Sequence, residues 1–168
     1  MTDERGDDTR FRRPTEADYP AVIDVVDEWW GGGRRMRALL PRLWFQHFAG
    51  TSWIADSEDG ALEGFMVGFI SPDHPTDAYI HMVGTDPNHR KRGIGRALYE
   101  RFFEDARAHG ARRVKAVTWP GNQISVKFHT AMGFRPDDGP GTQRLYGSIA
   151  YPDYDGEGED RVHFVRDL

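Results

Sequence analysis

Residues 82–102 read MVGTDPNHRKRGIGRALYERF and carry the strongest fold signal in the chain. The first letters are typical of a strand, a loop rich in positive charge follows, and apolar residues recur every fourth position from Ile94 onward, as on one face of a helix. Backbone N–H groups in the first turn of a helix have no intrahelical acceptor and lie at the positive end of the helix dipole. Because Gly93 and Gly95 let a bulky group approach that backbone, this stretch predicts an anion-binding corner.

Two common phosphate-binding motifs do not fit this corner. A dinucleotide-binding fingerprint needs a third glycine where Leu98 stands and no loop between its strand and its first glycine. A Walker A loop needs Gly-Lys-Ser or Gly-Lys-Thr, which the sequence lacks. The predicted anion site therefore belongs to neither of these two phosphate-binding motifs.

The rest of the chain predicts a succession of strands and helices. A strand around Phe11 precedes a helix that begins at Thr15, and Gly31–Gly33 separates it from a second helix interrupted at Pro41. Further strands are predicted at TSWIAD and LEGFMVGFIS as a hairpin, then at AYIHMVGT, RRVKAVTW, QRLYGSIAY and DRVHFVRDL, with a helix in NQISVKFHTAMG. Strands in a row followed by alternating strands and helices predict an α/β sheet of mixed direction.

Length and composition indicate one globular domain over residues 1–168, with its first eight residues disordered. The complete lack of cysteine excludes disulfides, thiolate zinc sites and a cysteine nucleophile, and no metal site is predicted. The charged N-terminal stretch has no apolar segment typical of a secretory signal, so we expect a cytoplasmic protein.

Charge argues against large anionic partners. The formal net charge is −5, so neither nucleic acid nor an acidic membrane is an expected partner, and no apolar run approaches the roughly 18 residues that a membrane span needs. The basic cluster at 89–96 is local against this acidic background, which favours a small anionic ligand.

Residues 90–95, RKRGIG, fit the pattern [Q/R]-x-x-G-x-[G/A] between a strand and a helix. This pattern resembles the coenzyme A pyrophosphate loop of the GNAT superfamily of N-acetyltransferases. Residues 117–134, VTWPGNQISVKFHTAMGF, are similar to the second signature of that family, in which an Asn opens a helix that ends in Gly-Phe, and residues 11–22 resemble its first strand and helix. The resemblance covers about residues 10–150 and is densest over 79–134.

The resemblance implies an α/β fold with a mixed, mostly antiparallel central sheet of about six or seven strands, flanked by helices on both faces. It implies an N-acetyltransferase that transfers the acetyl group of acetyl-CoA to a primary amine of a small molecule, by direct attack in a ternary complex. Two alternatives stay open: a protein or peptide N-acetyltransferase, and a catalytically silent domain that binds coenzyme A. The resemblance and the long C-terminal hairpin are compatible with a homodimer.

The resemblance also assigns residues to the cofactor. The backbone of Val83, Gly84 and Thr85 is expected to pair with the pantetheine arm, and the amides from Lys91 to Arg96 are expected to hold the pyrophosphate. The full cofactor-binding set comprises Val83, Gly84, Thr85, Arg90, Lys91, Arg92, Gly93, Ile94, Gly95, Arg96, Asn122 and His129. A glycine within a strand pattern independently indicates a bulge or a close approach at Gly84.

Two histidines are the catalytic candidates. The family usually has a tyrosine seven residues after the Asn to protonate the leaving thiolate, and this sequence has His129 there. His129 is therefore the candidate acid, or only a cofactor contact, with Tyr79, Tyr99 and Tyr146 as reserve donors. An alkylammonium with a pKa of about 10 must lose a proton before it attacks. His81 is the candidate base, acting through a water, or a core histidine bonded to backbone; Asp73, Asp77 and Glu28 are alternatives.

The acceptor amine is expected near the glycine hinge at residues 31–33. Glu28, Trp29 and Trp30 offer carboxylate and ring faces that suit a cation, and Tyr79 is added as a substrate contact. The alternative for the two tryptophans is core packing. Arg34 and Arg35 are candidates for binding a substrate carboxylate. We expect a small or amino-acid-like primary amine.

Overall fold

The computed structural model describes residues 8–33 and 35–168. Seven of the eight N-terminal residues for which disorder is predicted, and Arg34, lie outside this part of the chain. The helices are α1 (Tyr19–Trp29), α2 (Leu43–His47), α3 (Ile94–Ala108) and α4 (Gln123–Ala131). The strands are β1 (Arg10–Arg12), β2 (Trp53–Asp56), β3 (Leu62–Ile70), β4 (Asp77–Thr85), β5 (Arg113–Thr118), β6 (Arg135–Pro136), β7 (Gln143–Leu145), β8 (Ser148–Ala150) and β9 (Val162–Asp167).

Seven of these strands form one sheet in the order β1-β2-β3-β4-β5-β9-β6. The pairs β1–β2, β2–β3, β5–β9 and β6–β9 are antiparallel, whereas β4 and β5 are parallel. The prediction of an α/β fold with a mixed, mostly antiparallel sheet flanked by helices is confirmed. No described helix is both long and apolar enough to cross a membrane.

The chain divides into two compact units. The first comprises Met1–Phe69 and His81–Asp105, and the second comprises Ile70–Ile80 and Ala106–Leu168. Strand β4 contributes its first four residues, Asp77–Ile80, to the second unit and the rest to the first. The single domain over residues 1–168 remains a prediction.

The first unit is built around an apolar cluster between α1, α2 and the strands. Its buried members are Val22, Val26, Trp29, Leu40, Trp44, Phe45, Ile54, Phe65, Val67 and Met82. Helix α3 packs on β3 in the same unit, because a Cβ at Gly64 would lie 3.0 Å from Ile94 Cγ2 and 3.3 Å from Leu98 Cδ1. The four-residue apolar spacing of α3 is thereby explained, and the start of that helix is fixed against the sheet.

In the second unit, β9 lies between β5 and β6 and packs against α4. His129 of α4 stacks on Phe164 of β9, with ring centroids 4.7 Å apart. Asn122 caps α4 as predicted, because its side-chain oxygen accepts the N–H of Ser125 at 3.1 Å.

Two element predictions need correction. QRLYGSIAY was predicted as one strand, but Tyr146 and Gly147 form a turn between β7 and β8, which pair with each other in a separate small sheet. The second helix is interrupted at Pro41 as predicted, but its two parts are only a 3-10 turn at Met36–Leu39 and the short α2. The hairpin of β2 and β3 is confirmed, with its turn closed from the Gly60 N–H to the Ser57 carbonyl at 2.9 Å.

Candidate active site

The anion loop, residues 90–96, comprises the end of the connection from β4 and the first residues of α3, as the sequence predicts. The N–H of Ala97 donates to the Gly93 carbonyl at 2.9 Å, so the amides of residues 94–96 precede the first intrahelical bond of α3. Gly93 has φ +79°, and a Cβ placed there would meet nothing within 4 Å. The space beside Gly93 at the start of α3 is therefore unoccupied, and the backbone N–H groups that come next in the chain have no intrahelical acceptors.

The basic side chains near the start of α3 differ in the groups that they contact. Arg90, Lys91 and Arg96 are exposed, and Arg96 approaches Glu100 at 3.8 Å. Arg92 is exposed as well, but it donates from Nη1 to Glu63 Oε1 at 2.8 Å. The sequence predicted that Arg92 binds the cofactor, but the positive charge of this side chain is already compensated by Glu63 of the first unit.

Glu63 is a residue that sequence reasoning missed. It lies on β3, is only 2% exposed, and accepts the hydroxyl of Thr9 at 2.7 Å in addition to Arg92. Its backbone carbonyl accepts the N–H of Asp86 at 2.9 Å, at the beginning of the segment that leads to the anion loop. Glu63 therefore connects β3 to both ends of that segment, through its backbone carbonyl at Asp86 and its carboxylate at Arg92. The signal was a lone charge within the apolar run LEGFMVGF, because a buried charge needs a partner.

Val83, Gly84 and Thr85 lie on β4 beyond its parallel ladder with β5, which pairs Asp77–Ile80 with Arg113–Ala116. The predicted close approach at Gly84 involves aromatic rings. A Cβ at this position would lie 2.7 Å from Phe65 Cε1 and 2.8 Å from Trp30 Cζ3. Glycine is required here because the two rings occupy the space of a side chain.

His81 lies on β4 with its ring fixed at both its face and its edge. The ring stacks on Trp44 with centroids 4.3 Å apart and planes 8° apart, and Nε2 lies 2.6 Å from the Leu39 carbonyl. Because a carbonyl only accepts, Nε2 carries the hydrogen, and in the neutral ring Nδ1 holds the lone pair. Burial lowers the pKa of His81, against the opposing effect of the hydrogen bond to Leu39. The ring is therefore neutral near pH 7, which is the form that accepts a proton.

The two hinge tryptophans have different surroundings. Trp29 is 8% exposed and stacks on Phe65 at 6.1 Å, so it packs in the core. Trp30 is half-buried and lies over Gly84. Glu28 is exposed, and its neighbour Asp27 accepts the N–H of Arg37 at 2.8 Å, which ties α1 to the turn after the hinge. Of the predicted hinge contacts, Trp30 is thus the one adjacent to β4.

Asn122 and His129 both belong to α4 of the second unit. His129 is 6% exposed, and its Nδ1 donates to the Ser125 carbonyl at 2.8 Å. Burial lowers the pKa of His129, while the Ser125 hydrogen bond acts in the opposite direction. A neutral ring with its hydrogen on Nδ1 only accepts at Nε2. Donation of a proton from Nε2 would require a charged ring, which burial disfavours.

The reserve donors and bases are dispersed. Tyr99 is 3% exposed inside the first unit, and burial raises its pKa, whereas Tyr146 is exposed in the turn between β7 and β8. Burial raises the pKa of Tyr79 to about 12. Asp77 is 5% exposed and pairs with Arg113 and, at 2.9 Å, with Lys115. Burial acts to raise the pKa of Asp77, but those two cations outweigh it and lower the pKa, so this carboxylate is a poor base.

Comparison with known proteins agrees with this arrangement. A model of the acetyltransferase (GNAT) family matches residues 17–134. L-2,4-diaminobutyric acid acetyltransferase of Nocardia farcinica is 29% identical over 111 residues, which cover 66% of this chain and 57% of that protein. Phosphinothricin N-acetyltransferase of Streptomyces viridochromogenes is 25% identical over 135 residues, which cover 74% of this chain and 73% of that protein. The matched part therefore falls short of two thirds of the Nocardia protein's length.

A solved structure shares the fold. It is that of diaminobutyrate acetyltransferase EctA from Paenibacillus lautus, in complex with L-2,4-diaminobutyric acid and coenzyme A. It superposes with a TM-score of 0.69 at 22% identity and covers 96% of each chain. The family model spans more than half of the chain, from α1 through α4, and the two signatures of the sequence lie inside that span. The chain belongs to the acetyltransferase (GNAT) family.

Proposed function

We propose that the protein is an N-acetyltransferase that transfers the acetyl group of acetyl-CoA to a primary amine of a small molecule, by direct attack in a ternary complex. The observation that carries the proposal is the open N-terminus of α3, with Gly93 at φ +79° and exposed basic residues before it. Helix-start amides of this kind bind phosphate groups. Acetyl-CoA would supply the acyl thioester, and the chain would supply binding, orientation and proton removal.

The residues proposed to bind acetyl-CoA form groups that would contact different parts of the cofactor. The backbone of Val83–Thr85 would pair with the amide-rich arm, which fits the position of these residues beyond the β4–β5 ladder. The amides of residues 91–96 would hold the pyrophosphate, with Arg90, Lys91 and Arg96 adding charge. Asn122 and His129 keep their predicted role as contacts from α4.

His81 is the proposed base. Its Nε2–H is fixed by the Leu39 carbonyl, so Nδ1 is the atom that would take a proton from the amine, directly or through a water. A backbone N–H near Val83 and Gly84 is proposed to stabilise the carbonyl oxygen as charge develops on it. For the leaving thiolate, His129 remains a candidate acid, and its low pKa favours the alternative role of a cofactor contact.

The acceptor is proposed to be a small or amino-acid-like amine. Trp30 would offer a ring face beside β4, and the exposed Glu28 a carboxylate at the same end of α1. The curated relatives named for diaminobutyric acid and phosphinothricin support an acceptor of this size. A homodimer and a cytoplasmic location remain predictions.

The test is coenzyme A binding by calorimetry, followed by thiol release from acetyl-CoA over a panel of diamines, amino acids, aminoglycosides and peptides. We expect binding, and turnover with small amines. Turnover with peptides alone would favour the protein or peptide acetyltransferase. Binding without turnover on the whole panel would favour a silent domain.

A bulky residue at Gly93 is expected to weaken coenzyme A binding. Gly93→Val would place a branched side chain where the helix start is now open, so the dissociation constant should rise at least about tenfold, the effect of losing one charge-assisted hydrogen bond. Gly60→Val is the matched control, because Gly60 has φ +84° and open surroundings in the hairpin turn of β2 and β3. An unchanged dissociation constant in Gly93→Val, or an equal rise in both variants, would argue against the anion loop as the cofactor site.

His81→Gln tests the base. Because the neutral ring is the base and burial lowers its pKa, wild-type kcat/KM should fall as the pH drops through a value below about 6.5. The glutamine amide still donates to Leu39 but accepts no proton, so kcat should decrease about a hundredfold and this inflection should disappear. Thermal unfolding reports on folding, and His47→Ala, an exposed histidine at the end of α2, is the control. A folded His81→Gln protein with wild-type rate and profile would exclude the role.

A further inference from the structure

Glu63 is a buried carboxylate whose two oxygens bond to different parts of the first unit. Its Oε1 accepts from Arg92 Nη1 at 2.8 Å, and its Oε2 accepts from the Thr9 hydroxyl at 2.7 Å. Glu63 is buried, whereas Arg92 is exposed at the surface of the anion loop. A carboxylate at this depth needs charged or hydrogen-bonding partners. The carboxylate therefore fixes the end of the Arg92 side chain at β3.

The backbone of Glu63 bonds to the beginning of the same segment. Its carbonyl accepts the N–H of Asp86 at 2.9 Å. The Asp86 carboxylate in turn accepts the N–H of Asn88 at 2.8 Å and lies 3.1 Å from Nδ1 of His89. Residues 86–92 are thus attached to β3 at their first and last positions, both times through Glu63.

The backbone near the second attachment has a conformation that a chain without constraints seldom adopts. Lys91 has φ +65°, in the left-handed region that residues other than glycine rarely occupy, and Gly93 has φ +79°. A residue other than glycine keeps such a conformation only where its surroundings impose it. Lys91 is exposed, so burial of its own side chain does not impose it. The bond of the next residue, Arg92, to Glu63 supplies such a constraint.

The alternative role for the Arg92 side chain is direct contact with the phosphates of the ligand. Moving the guanidinium to a phosphate would remove the 2.8 Å bond from the buried Glu63 carboxylate, which is costly. The other basic side chains of the anion loop, Arg90, Lys91 and Arg96, are exposed and can contact an anion without that cost. The geometry therefore favours Arg92 as a link between the loop and β3.

We propose that Glu63 is a positioning residue for coenzyme A, which holds the anion loop in the conformation that presents its backbone N–H groups to the pyrophosphate. It acts through the side chain of Arg92 and the backbone of Asp86. Arg92 keeps its bond to Glu63 while the cofactor is bound, and its side chain does not contact the phosphates. The proposal rests on the proposed function for the identity of the ligand as coenzyme A.

Glu63→Gln tests this role through the sign of its effect on coenzyme A binding. On charge alone, a neutral amide near an anion site should strengthen binding. If Glu63 positions the loop, the dissociation constant measured by calorimetry should instead rise about tenfold, the effect of losing one charge-assisted hydrogen bond. Glu100→Gln is the matched control, because Glu100 is exposed on α3, 3.8 Å from Arg96, and its replacement should leave binding unchanged or tighter. An unchanged or lower dissociation constant in Glu63→Gln would overturn the proposal.

Trypsin tests the attachment of the loop without any cofactor. The anion loop contains three consecutive tryptic sites, at Arg90, Lys91 and Arg92. Proteolysis of a folded protein requires local opening, and its rate follows the population of the open form when opening is fast. Ligand-free Glu63→Gln should therefore be cut at these sites about tenfold faster than the wild type, by mass spectrometry of the fragments, with cleavage at the exposed Arg37 unchanged. Equal acceleration at every site, or none in the loop, would overturn the positioning role.

The two measurements separate the positioning role from the proposed function. Arg92→Ala removes the same bond and keeps two of the three tryptic sites, so it provides the same test if Glu63→Gln does not fold. Wild-type binding of coenzyme A with unchanged cleavage in Glu63→Gln would reject the positioning role and leave the proposed function intact. Faster cleavage of the loop in Glu63→Gln, without binding of coenzyme A by the wild type, would reject the proposed function and leave the attachment of the loop to Glu63 intact.

Discussion

Replacing Arg92 with alanine is expected to lower the free energy of unfolding by about 1–3 kcal/mol, the cost of leaving a buried polar group without its partner, because Glu63 is buried while the Arg92 side chain is 39% exposed. Glu63 is 2% exposed, and with the guanidinium gone its side chain would have only the hydroxyl of Thr9 at 2.7 Å and the more distant His89 ring, whose Nε2 lies 3.9 Å from Oε1. Chemical denaturation with urea, followed by tryptophan fluorescence, measures the change. Arg90→Ala is the control, because Arg90 is exposed in the same loop and does not contact Glu63 in the way that Arg92 does, so it should change stability little.

The double variant Arg92→Ala/Glu63→Gln gives the sharper result. Glutamine removes the buried charge and keeps an acceptor for Thr9, so most of the lost stability should return. If the bond between Arg92 and Glu63 also holds the anion loop in place, Arg92→Ala should weaken coenzyme A binding as well. The double variant should then bind coenzyme A as weakly as Arg92→Ala does, because it still lacks this bond between the loop and β3. A double variant as unstable as Arg92→Ala would show that the buried charge is not the cause.

The unit of strand, loop and helix at residues 82–102 could be predicted because its signals are local. The spacing of the apolar residues predicted which face of α3 packs on the sheet, and Gly93 predicted where the helix begins. Both signals come from neighbouring residues, so this prediction needed no information about distant contacts. The partner of Arg92 could not be identified in the same way, because Glu63 lies 29 residues earlier on β3. The alternation of side chains along β4 predicted which face of the strand carries His81. The tautomer of His81 could not be predicted, because the position of the Leu39 carbonyl that fixes it depends on how the segment after the glycine hinge folds.

The two hinge tryptophans and the tyrosines beside His163 show the other limits of prediction from the sequence. Adjacent residues on a helix point about 100° apart, so Trp29 and Trp30 could not share one wall, and the sequence did not indicate which would be buried. The rings of Tyr151 and Tyr154 reach His163 only because the chain after β8 returns along β9. Tyr151 is the last residue of the predicted strand QRLYGSIAY and Tyr154 lies between the two predicted C-terminal strands, and the sequence assigned neither ring to a site.

Gly84→Ala is expected to destabilise the protein by about 1–3 kcal/mol, the usual cost of adding a methyl group to a well-packed interior. The new Cβ would lie 2.7 Å from Phe65 Cε1 and 2.8 Å from Trp30 Cζ3, distances that no side chain tolerates. Phe65 is fully buried and has little freedom to move, whereas Trp30 is half-buried, so Trp30 should be displaced. Because Trp30 is a proposed acceptor contact, the KM for the amine should rise more than the dissociation constant of coenzyme A.

Gly50→Ala is the matched control for this variant. A Cβ at Gly50 would meet nothing within 4 Å, so the same substitution there should leave both stability and KM near their wild-type values. Urea denaturation and steady-state kinetics on the three proteins separate the steric effect at Gly84 from the general effect of removing a glycine, which by itself stabilises through the unfolded chain. If Gly84→Ala is as stable as Gly50→Ala and keeps its amine KM, the rings of Phe65 and Trp30 do not confine β4, and Trp30 loses its place in the acceptor site.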